Sequence, residues 1–211
     1  MQFSSPLIEL RLTGNSLPSY ESLTRILPGG YGRKFFFTEF PNSVATQGLR
    51  LVVRYRTIRR EDVGEVQRVA RKAWMHTYGR TVPLTIIDRL LSDRYSDTGF
   101  RKRVFPSIAK GNSKFYLAVA GRKIIGYCYV RRGQRGWELN RIYLLPEYIG
   151  KGIGKELLSL GERFFNAKKA RKYYAYVYSR NKLGLEFYYR NGFVRIRGKE
   201  QGPQYYLEKK L

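Results

Sequence analysis

The sequence predicts an α/β protein of the α+β type, built on a mixed, mostly antiparallel sheet with helices on both faces. Two observations carry this prediction. Three strand-like segments follow one another over residues 115–144 and are separated by turns at Gly121 and Gly133, the pattern of antiparallel hairpins. A glycine-rich loop then opens an amphipathic helix, and a strand, a helix and two closing strands follow it.

The first elements begin near Val52. A strand over residues 53–58 precedes a helix that starts near Glu61 and Asp62, because acidic residues suit a helix N-terminus. Apolar residues at helical spacing define this helix and the next one: Val63, Val66, Val69, Ala70, Ala73 and Trp74, then Ile86, Ile87, Leu90 and Leu91. Residues 100–108 extend this helical region.

The remaining elements are placed by alternation and by turn residues. Strands are predicted over residues 115–120, 123–132 and 136–144, and a helix begins close to Gly152. A strand over 172–178, a helix over 181–190 and strands over 194–197 and 205–209 close the domain.

The composition limits the classes of function. With 211 residues and 43% hydrophobic content the chain can form one proper domain, and no apolar run reaches the ~18–20 residues of a membrane span. Residues 1–12 lack the basic start and apolar stretch of a signal peptide. A single cysteine, Cys128, excludes an internal disulfide, and with a single histidine, His76, it argues against a zinc site. We therefore expect a cytoplasmic protein without a metal.

Positive charge is concentrated after residue 50. The net charge is +25, and residues 1–50 hold five Lys or Arg and three Asp or Glu, which leaves +23 for the other 161 residues. Such a surface attracts polyanions, including nucleic acid, acidic lipid or a phosphate-rich cofactor. Residues 1–51 show no sustained periodicity, so we interpret them as a loosely ordered extension of a domain over 52–211, or as a start-site artefact. The apolar patch Phe35-Phe36-Phe37 leaves a homodimer contact as an alternative.

The stretch from Pro146 to Leu158 carries the most chemical information. An apolar strand ends at a proline, and Gly150, Gly152 and Gly154 then lead into the helix. Glycines let the backbone approach a ligand, and the first helical turn leaves N–H groups unpaired, so the loop predicts a pyrophosphate site that Lys151 and Lys155 reinforce. The alternative is a tight turn with nothing bound.

Two other phosphate motifs do not fit this spacing. A P-loop needs Ser or Thr after Gly-Lys, and here Glu156 follows Lys155. A dinucleotide fingerprint that starts at Gly150 or Gly152 needs its last glycine at Lys155 or Leu157.

Together with the element order, two motifs resemble the GNAT acetyltransferase superfamily over residues 52–211. Ile149-Gly150-Lys151-Gly152-Ile153-Gly154 is similar to the family's acetyl-CoA loop, Arg/Gln-x-x-Gly-x-Gly/Ala, with Ile149 in place of Arg or Gln. Asn181-Lys182-Leu183-Gly184-Leu185-Glu186-Phe187-Tyr188-Tyr189-Arg190-Asn191-Gly192-Phe193 is similar to the family's Asn-x-x-Ala-x-x-Phe-Tyr-x-x-x-Gly-Phe, with Gly184 at the usual alanine. The resemblance implies a GNAT-like fold and acetyl-CoA as co-substrate.

The resemblance also implies roles for individual residues. Acetyl-CoA would contact the loop Gly150, Lys151, Gly152, Ile153, Gly154 and Lys155, the strand residues Ile142, Tyr143 and Leu144, and Asn181 on the pantetheine arm. Tyr188 would lie beside the sulfur, as a hydrogen-bond donor to the leaving thiolate. Glu138 stands where some members carry a catalytic glutamate, and Tyr176 stands where others do, so Glu138 is the expected base, directly or through a water. The alternative for Glu138 is an ion pair with a nearby arginine, and for Tyr188 a place in the core.

The acceptor is the least determined part. The run from Ala73 to Gly79 and residues 138–148 look most like PaiA-type polyamine N-acetyltransferases, which implies spermidine or spermine, with His76 and Tyr78 touching the substrate. The charge of +25 opposes a polycation unless acids line the groove, and Asp88, Asp93, Asp97 and Glu138 are candidates. Protein N-termini or lysines are the alternative acceptors. A non-catalytic nucleic-acid-binding module is the alternative of another class.

Overall fold

A seven-stranded sheet forms the centre of the computed structural model, which describes residues 51–80 and 82–211. Its strands are β1 Val53–Thr57, β2 Ser113–Ala120, β3 Lys123–Gly133, β4 Gly136–Leu144, β5 Lys172–Tyr178, β6 Val194–Arg195 and β7 Gln204–Lys210. They lie in the order β1-β2-β3-β4-β5-β7-β6, and every neighbouring pair is antiparallel except β4 and β5. The predicted mixed, mostly antiparallel sheet is confirmed, with strand bounds that agree to within two residues.

The helices also follow the predicted order. They are α1 Val63–Tyr78, α2 Leu84–Tyr95, α3 Asp97–Gly99, α4 Phe105–Ala109, α5 Ile153–Ala167 and α6 Lys182–Arg190, with a π-helical turn at Phe100–Val104 that joins α3 to α4. None of the helices in the described ranges has both the length and the apolar character that crossing a bilayer requires. The described residues belong to one unit, Arg50–Leu211, and the predicted extension lies outside them except for Leu51.

Different helices cover the two faces of the sheet. On the face that we call the α1 face, which α1 and α2 cover, the buried Tyr127 hydroxyl donates to the Tyr95 hydroxyl of α2 at 2.7 Å. On the opposite face, which we call the α5 face, α5 packs against β2, β3 and β4. A Cβ atom at Gly161 would lie 2.9 Å from Val130, so glycine permits the close approach of α5 to β3.

Aromatic side chains fill both layers. On the α1 face the ring of Phe115 lies 5.3 Å from that of Tyr127 and 5.2 Å from that of Tyr129. On the α5 face the ring centroids of Phe165 and Tyr173 are 4.7 Å apart. Because aromatic rings bury large areas, these stacks fix β3, β4 and β5 relative to the helices and so hold the site described next.

Candidate active site

The loop between β4 and α5 presents a row of unpaired backbone N–H groups. The chain turns through the 3-10 helix Pro146–Tyr148, and Gly150 and Gly152 then adopt left-handed conformations with φ of 81° and 79°. α5 has no side-chain cap, and its first turn closes when the Lys155 N–H donates to the Gly152 carbonyl at 3.0 Å. Within the described ranges, no backbone carbonyl accepts from the N–H groups of residues 150–154.

This loop fits a phosphate-bearing ligand. Cβ atoms built on Gly150 and Gly152 would meet nothing within 4 Å, so the space in front of the amides is open. Lys151 and Lys155 are both exposed, at the loop and in the first turn of α5. Free N–H groups at the positive end of a helix, flanked by two lysines, form an anion site. Gly154 acts differently, because a Cβ there would lie 3.2 Å from the Phe187 ring, so this glycine lets α5 pack against α6.

A gap opens beside the second half of β4. Strands β4 and β5 pair only at Trp137–Tyr173 and Glu138–Tyr174, and beyond these two positions they diverge. The Leu145 N–H donates to the carbonyl of Ile125 in β3 at 2.8 Å. Since backbone groups alternate sides along a strand, the N–H groups of Ile142 and Leu144 point away from β3 and into the gap. The gap ends at the glycine loop, so a ligand can bind both.

The N-terminus of α6 lies beside the gap. The Asn181 side chain caps the helix by accepting from the Gly184 N–H at 2.9 Å. Tyr188, about two turns further on, is 8% exposed and packs its ring 4.9 Å from that of Phe193. Burial raises the pKa of the Tyr188 hydroxyl, and no side chain of the described residues shares a hydrogen bond with it. The phenol is therefore a protonated donor with no competing partner in the described chain.

Tyr78, at the end of α1, joins this group. Its ring lies 5.9 Å from that of Tyr178, and its hydroxyl shares a hydrogen bond with the Asn181 side chain. Burial raises the pKa of Tyr78 to about 12, and Tyr78 in turn contributes to the raised pKa of Tyr188. His76 lies exposed two residues earlier on α1. Of the two residues expected at the acceptor, the structure brings Tyr78 to Tyr188, whereas His76 is on the outer surface.

Glu138 lies on the α1 face, near the point where β4 and β5 part. It is 6% exposed, and its carboxylate accepts from the Arg131 guanidinium at 2.7 Å and from the Asn140 amide at 2.9 Å. Its charge contributes to the raised pKa of Tyr188, behind the larger effect of burial. The carboxylate is thus a member of the ion pair that the sequence left as the alternative, and its charge also acts weakly on Tyr188.

The other acids expected near the acceptor are directed elsewhere. Asp88 pairs with Arg71 of α1 at 3.1 Å, and Asp97 accepts from Gln67 of α1 at 3.0 Å. Asp93 is exposed on α2. Asp88 and Asp97 therefore contact the outer side of α1, and of the four candidates only Glu138 faces the sheet. Among the described residues, no cluster of three or more His, Cys, Asp or Glu could hold a metal ion.

Comparison with known proteins agrees with this geometry. A family described as "Acetyltransferase (GNAT) family" matches residues 84–193. The chain belongs to the GNAT acetyltransferase family. A spermidine N(1)-acetyltransferase from Thermoplasma acidophilum is 31% identical over 150 residues, which are 71% of this chain and 92% of that protein.

Solved GNAT structures share the fold. The PaiA N-acetyltransferase of Thermoplasma acidophilum, solved in complex with coenzyme A, is 30% identical, covers 76% of this chain and all of its own, and superposes with a TM-score of 0.71. A GCN5-related N-acetyltransferase from Rhodopseudomonas palustris is 16% identical, covers 75% of this chain and 95% of its own, and gives a TM-score of 0.60. This GNAT chain is an acetyltransferase that uses acetyl-CoA, as the sequence resemblance implied.

The departure of this GNAT chain from the family pattern at Gly184 has a local cause. A Cβ atom at residue 184 would lie 2.5 Å from Nδ2 and 2.9 Å from Cγ of Asn181. With glycine, Asn181 keeps the rotamer that caps α6 and also reaches Tyr78. The glycine therefore couples the cap of α6 to the end of α1.

Among the described residues, four buried side-chain polar atoms have no hydrogen-bond partner: Trp74 Nε1, Ser113 Oγ, Arg141 Nη1 and the Tyr176 hydroxyl. Three of these atoms, those of Trp74, Arg141 and Tyr176, have neighbours on the α1 face. The Trp74 ring lies 5.2 Å from that of Tyr78, and Tyr176 shares a strand face with Tyr178. Arg141 donates through Nη2 to the Arg94 carbonyl at 3.1 Å, and the Arg94 guanidinium lies 5.8 Å from the Trp74 ring. All three therefore lie on the α1 face around the gap. Periodicity marks such residues as core or surface, and only the fold brings them together.

Proposed function

We propose that this acetyltransferase moves the acetyl group of acetyl-CoA directly to a primary amine, with a polyamine as the acceptor. One observation carries the transfer: the gap between β4 and β5 opens at the free N–H groups of residues 150–154. Acetyl-CoA, when bound, supplies the activated thioester. Residues 150–155 would hold its pyrophosphate, and the N–H groups of Ile142 and Leu144 would bind carbonyl oxygens in the gap and stabilise negative charge there.

Glu138 and Tyr188 have complementary tasks in this proposal. A lysine-like amine with a pKa of about 10.4 is almost wholly protonated at neutral pH, so a base must take its proton before it can attack. Glu138 takes this proton from the ammonium before the neutral nitrogen attacks the thioester carbon. The C–N bond then forms and the C–S bond breaks, and the second proton that the nitrogen loses neutralises the leaving thiolate. The leaving thiolate then accepts a hydrogen bond from Tyr188. A phenol is a weaker acid than a thiol, and burial raises the Tyr188 pKa further, so Tyr188 donates a hydrogen bond while the net proton comes from the amine.

Glu138→Gln tests the base. The substitution keeps the shape of the side chain and removes its basicity, so turnover should fall about 10²-fold or more near neutral pH. The deficit should shrink at high pH, where the amine deprotonates unaided. Arg131→Met is the control, because it breaks the same ion pair and leaves the carboxylate in place. Equal losses in both variants at every pH would assign Glu138 to the ion pair alone.

Tyr188→Phe tests the donor. The hydroxyl has no side-chain partner in the described chain, so its removal should leave the melting temperature nearly unchanged. Turnover should fall by about tenfold or more, since the hydrogen bond to the thiolate exists only during transfer. Tyr189→Phe, which removes an exposed neighbouring hydroxyl, is the matched control. A Tyr188→Phe enzyme with unchanged turnover would remove this role.

The support for a polyamine comes from the relative, whose printed name is a spermidine N(1)-acetyltransferase. The charges of the α1 face raise a second candidate. Protonated amines only donate hydrogen bonds, and so do the buried N–H groups of Trp74 and Arg141, so a polyamine leaves these groups unpaired. An amine on a peptide, at a protein N-terminus or a lysine, carries carbonyl or carboxylate acceptors. The unpaired N–H groups of Trp74 and Arg141 favour a peptide amine as the acceptor.

Two acceptors assayed side by side separate the candidates. Spermidine and an acidic peptide with a free N-terminus would be compared by kcat/KM, in the parent enzyme and in Arg141→Gln. For a polyamine acceptor, Arg141→Gln leaves spermidine turnover unchanged or raises it, because a positive charge is removed from the groove. For a peptide acceptor, the same variant loses about 1–3 kcal/mol of peptide discrimination, which is about tenfold to a hundredfold in kcat/KM.

A further inference from the structure

Basic side chains collect at one end of the sheet, which we call the basic end. It comprises the start of β2, the β3–β4 turn, the loop between α5 and β5, and the end of β7. The exposed bases there that have no ion pair are Lys110, Arg132, Arg135, Lys168, Lys169, Arg171 and Lys210. These residues come from segments that are distant in sequence, and strand pairing brings the segments to one end.

Backbone and side-chain contacts connect these segments. The Arg132 N–H donates to the Asn112 carbonyl at 2.8 Å, and the Leu211 N–H donates to the Arg171 carbonyl at 3.0 Å. The Lys168 ammonium lies 5.7 Å from the centre of the Phe164 ring. The Arg132 guanidinium lies 5.7 Å from the ring of the neighbouring Trp137. The rings of Trp137 and Phe164 are 5.5 Å apart, so one aromatic pair supports cations from both sides.

The carboxylates at this end are already neutralised. Glu138 pairs with Arg131, Glu162 with Lys209 and Glu208 with Lys172. In the described ranges, the acids outside ion pairs are Asp93, Asp97 and Glu156, which lie on α2, on α3 and in the first turn of α5. The basic end therefore keeps its positive field without an internal counter-charge.

Lys169 supplies an independent observation. α5 ends in a Schellman motif, in which the Ala170 N–H donates to the Phe165 carbonyl at 3.1 Å and the Lys169 N–H donates to the Asn166 carbonyl at 2.9 Å. The residue at the left-handed position of this motif is normally glycine, and here it is Lys169 with φ of 56°. A lysine at this position strains the backbone, so the chain carries a charge where stability alone favours glycine.

We propose that the basic end binds the phosphate backbone of nucleic acid. A row of lysine and arginine side chains without counter-charges matches a polyphosphate, and binding would release its condensed counterions. An anionic membrane fits less well, because interfacial binding needs a group of apolar side chains to insert. Of the described residues, the exposed large hydrophobic ones at this end are Leu211 and Val194, which pairs with Glu208.

The proposed surface is separate from the acetyl-CoA loop, and its unpaired bases do not include Arg131, the partner of Glu138. It lies at the Trp137 end of β4, whereas the glycine loop follows Leu144, and seven residues of strand at about 3.3 Å each separate the two ends by about 23 Å. Substitutions at the basic end should leave acetyl-CoA affinity unchanged. A failure of nucleic-acid binding is therefore distinguishable from a failure of the acetyl-transfer proposal.

The test uses the full chain and a labelled single-stranded RNA of about 20 nucleotides, with binding followed by fluorescence anisotropy over a salt series. The variant is Lys168→Gln with Arg171→Gln, and the control is Arg89→Gln with Arg122→Gln, which removes the same charge from exposed sites on α2 and in the β2–β3 turn. The first pair should weaken binding at least about fivefold and reduce the slope of log K against log salt by about 1.4, since each lost contact with single-stranded RNA contributes about 0.7.

Lys169→Gly separates the effect of the lysine charge on RNA binding from its effect on stability. It should raise the melting temperature by about 2–4 °C because the strain is relieved, and weaken RNA binding about twofold or more. Equal losses in the variant and control pairs would show that net charge alone drives binding and would overturn the proposal. Binding to phosphatidylserine vesicles without binding to RNA or to duplex DNA would assign the surface to membranes and would overturn it equally.

Discussion

Gly152 is the position at which the acetyl-CoA site can be tested with the least disturbance of the fold. Its φ is 79°, and a Cβ there would meet nothing within 4 Å, so Gly152→Ala introduces backbone strain and one methyl group in open space. The strain of a left-handed non-glycine residue is about 1–2 kcal/mol, which should lower the melting temperature by about 2–8 °C. The methyl group stands before the free N–H groups of residues 150–154 and should weaken acetyl-CoA binding at least tenfold, about 1.4 kcal/mol.

Gly121→Ala is the matched control. Gly121 has φ of 58°, its Cβ would also meet nothing within 4 Å, and it belongs to the β2–β3 turn rather than to residues 150–155. Both variants should lose similar stability in thermal melts, while calorimetry with acetyl-CoA should show a weaker dissociation constant for Gly152→Ala alone. If Gly152→Ala binds acetyl-CoA as tightly as Gly121→Ala does, the free N–H groups do not hold the pyrophosphate.

Three further predictions follow from the same contacts. Gly184→Ala should fail to give the usual gain of about 1 kcal/mol in helix propensity, because the new Cβ displaces the Asn181 cap; a melting temperature above that of the parent would contradict this. Stability should fall above pH 10, because burial raises the pKa of Tyr78 to about 12. The contribution of Tyr78 to the free energy of unfolding is therefore complete below pH 10 and is lost as pH rises toward 12, and a urea midpoint that stays flat from pH 9 to pH 12 would refute this. A chain that starts at Val52 should fold, bind acetyl-CoA and turn over within about threefold of the full chain, and an insoluble or inactive truncation in sizing and activity assays would show that residues 1–51 belong to the domain.

Sequence patterns determined the elements and the ligand loop because both depend on neighbours in the chain. Alternation and helical spacing placed the strands of the sheet, and glycines at 150 and 152 indicated a turn that the φ values of 81° and 79° confirm. Asn181 and Tyr188 were selected by the resemblance of residues 181–193 to the GNAT motif, and the fold places both beside the gap. The roles given to these residues stay proposals.

Tertiary structure alone decided the acceptor side and the basic end. Asp88 and Asp97 contact α1, and His76 is exposed. Glu138 pairs with Arg131, which is seven residues away, whereas the partners of Asp88 and Asp97 are distant in sequence. The orphan donors of Trp74, Arg141 and Tyr176 belong to α1, β4 and β5, which meet only through sheet pairing and helix docking. The physical reason is the range of the interactions: capping and turn chemistry act within four residues, whereas ion pairing and burial depend on which distant segments the core brings together.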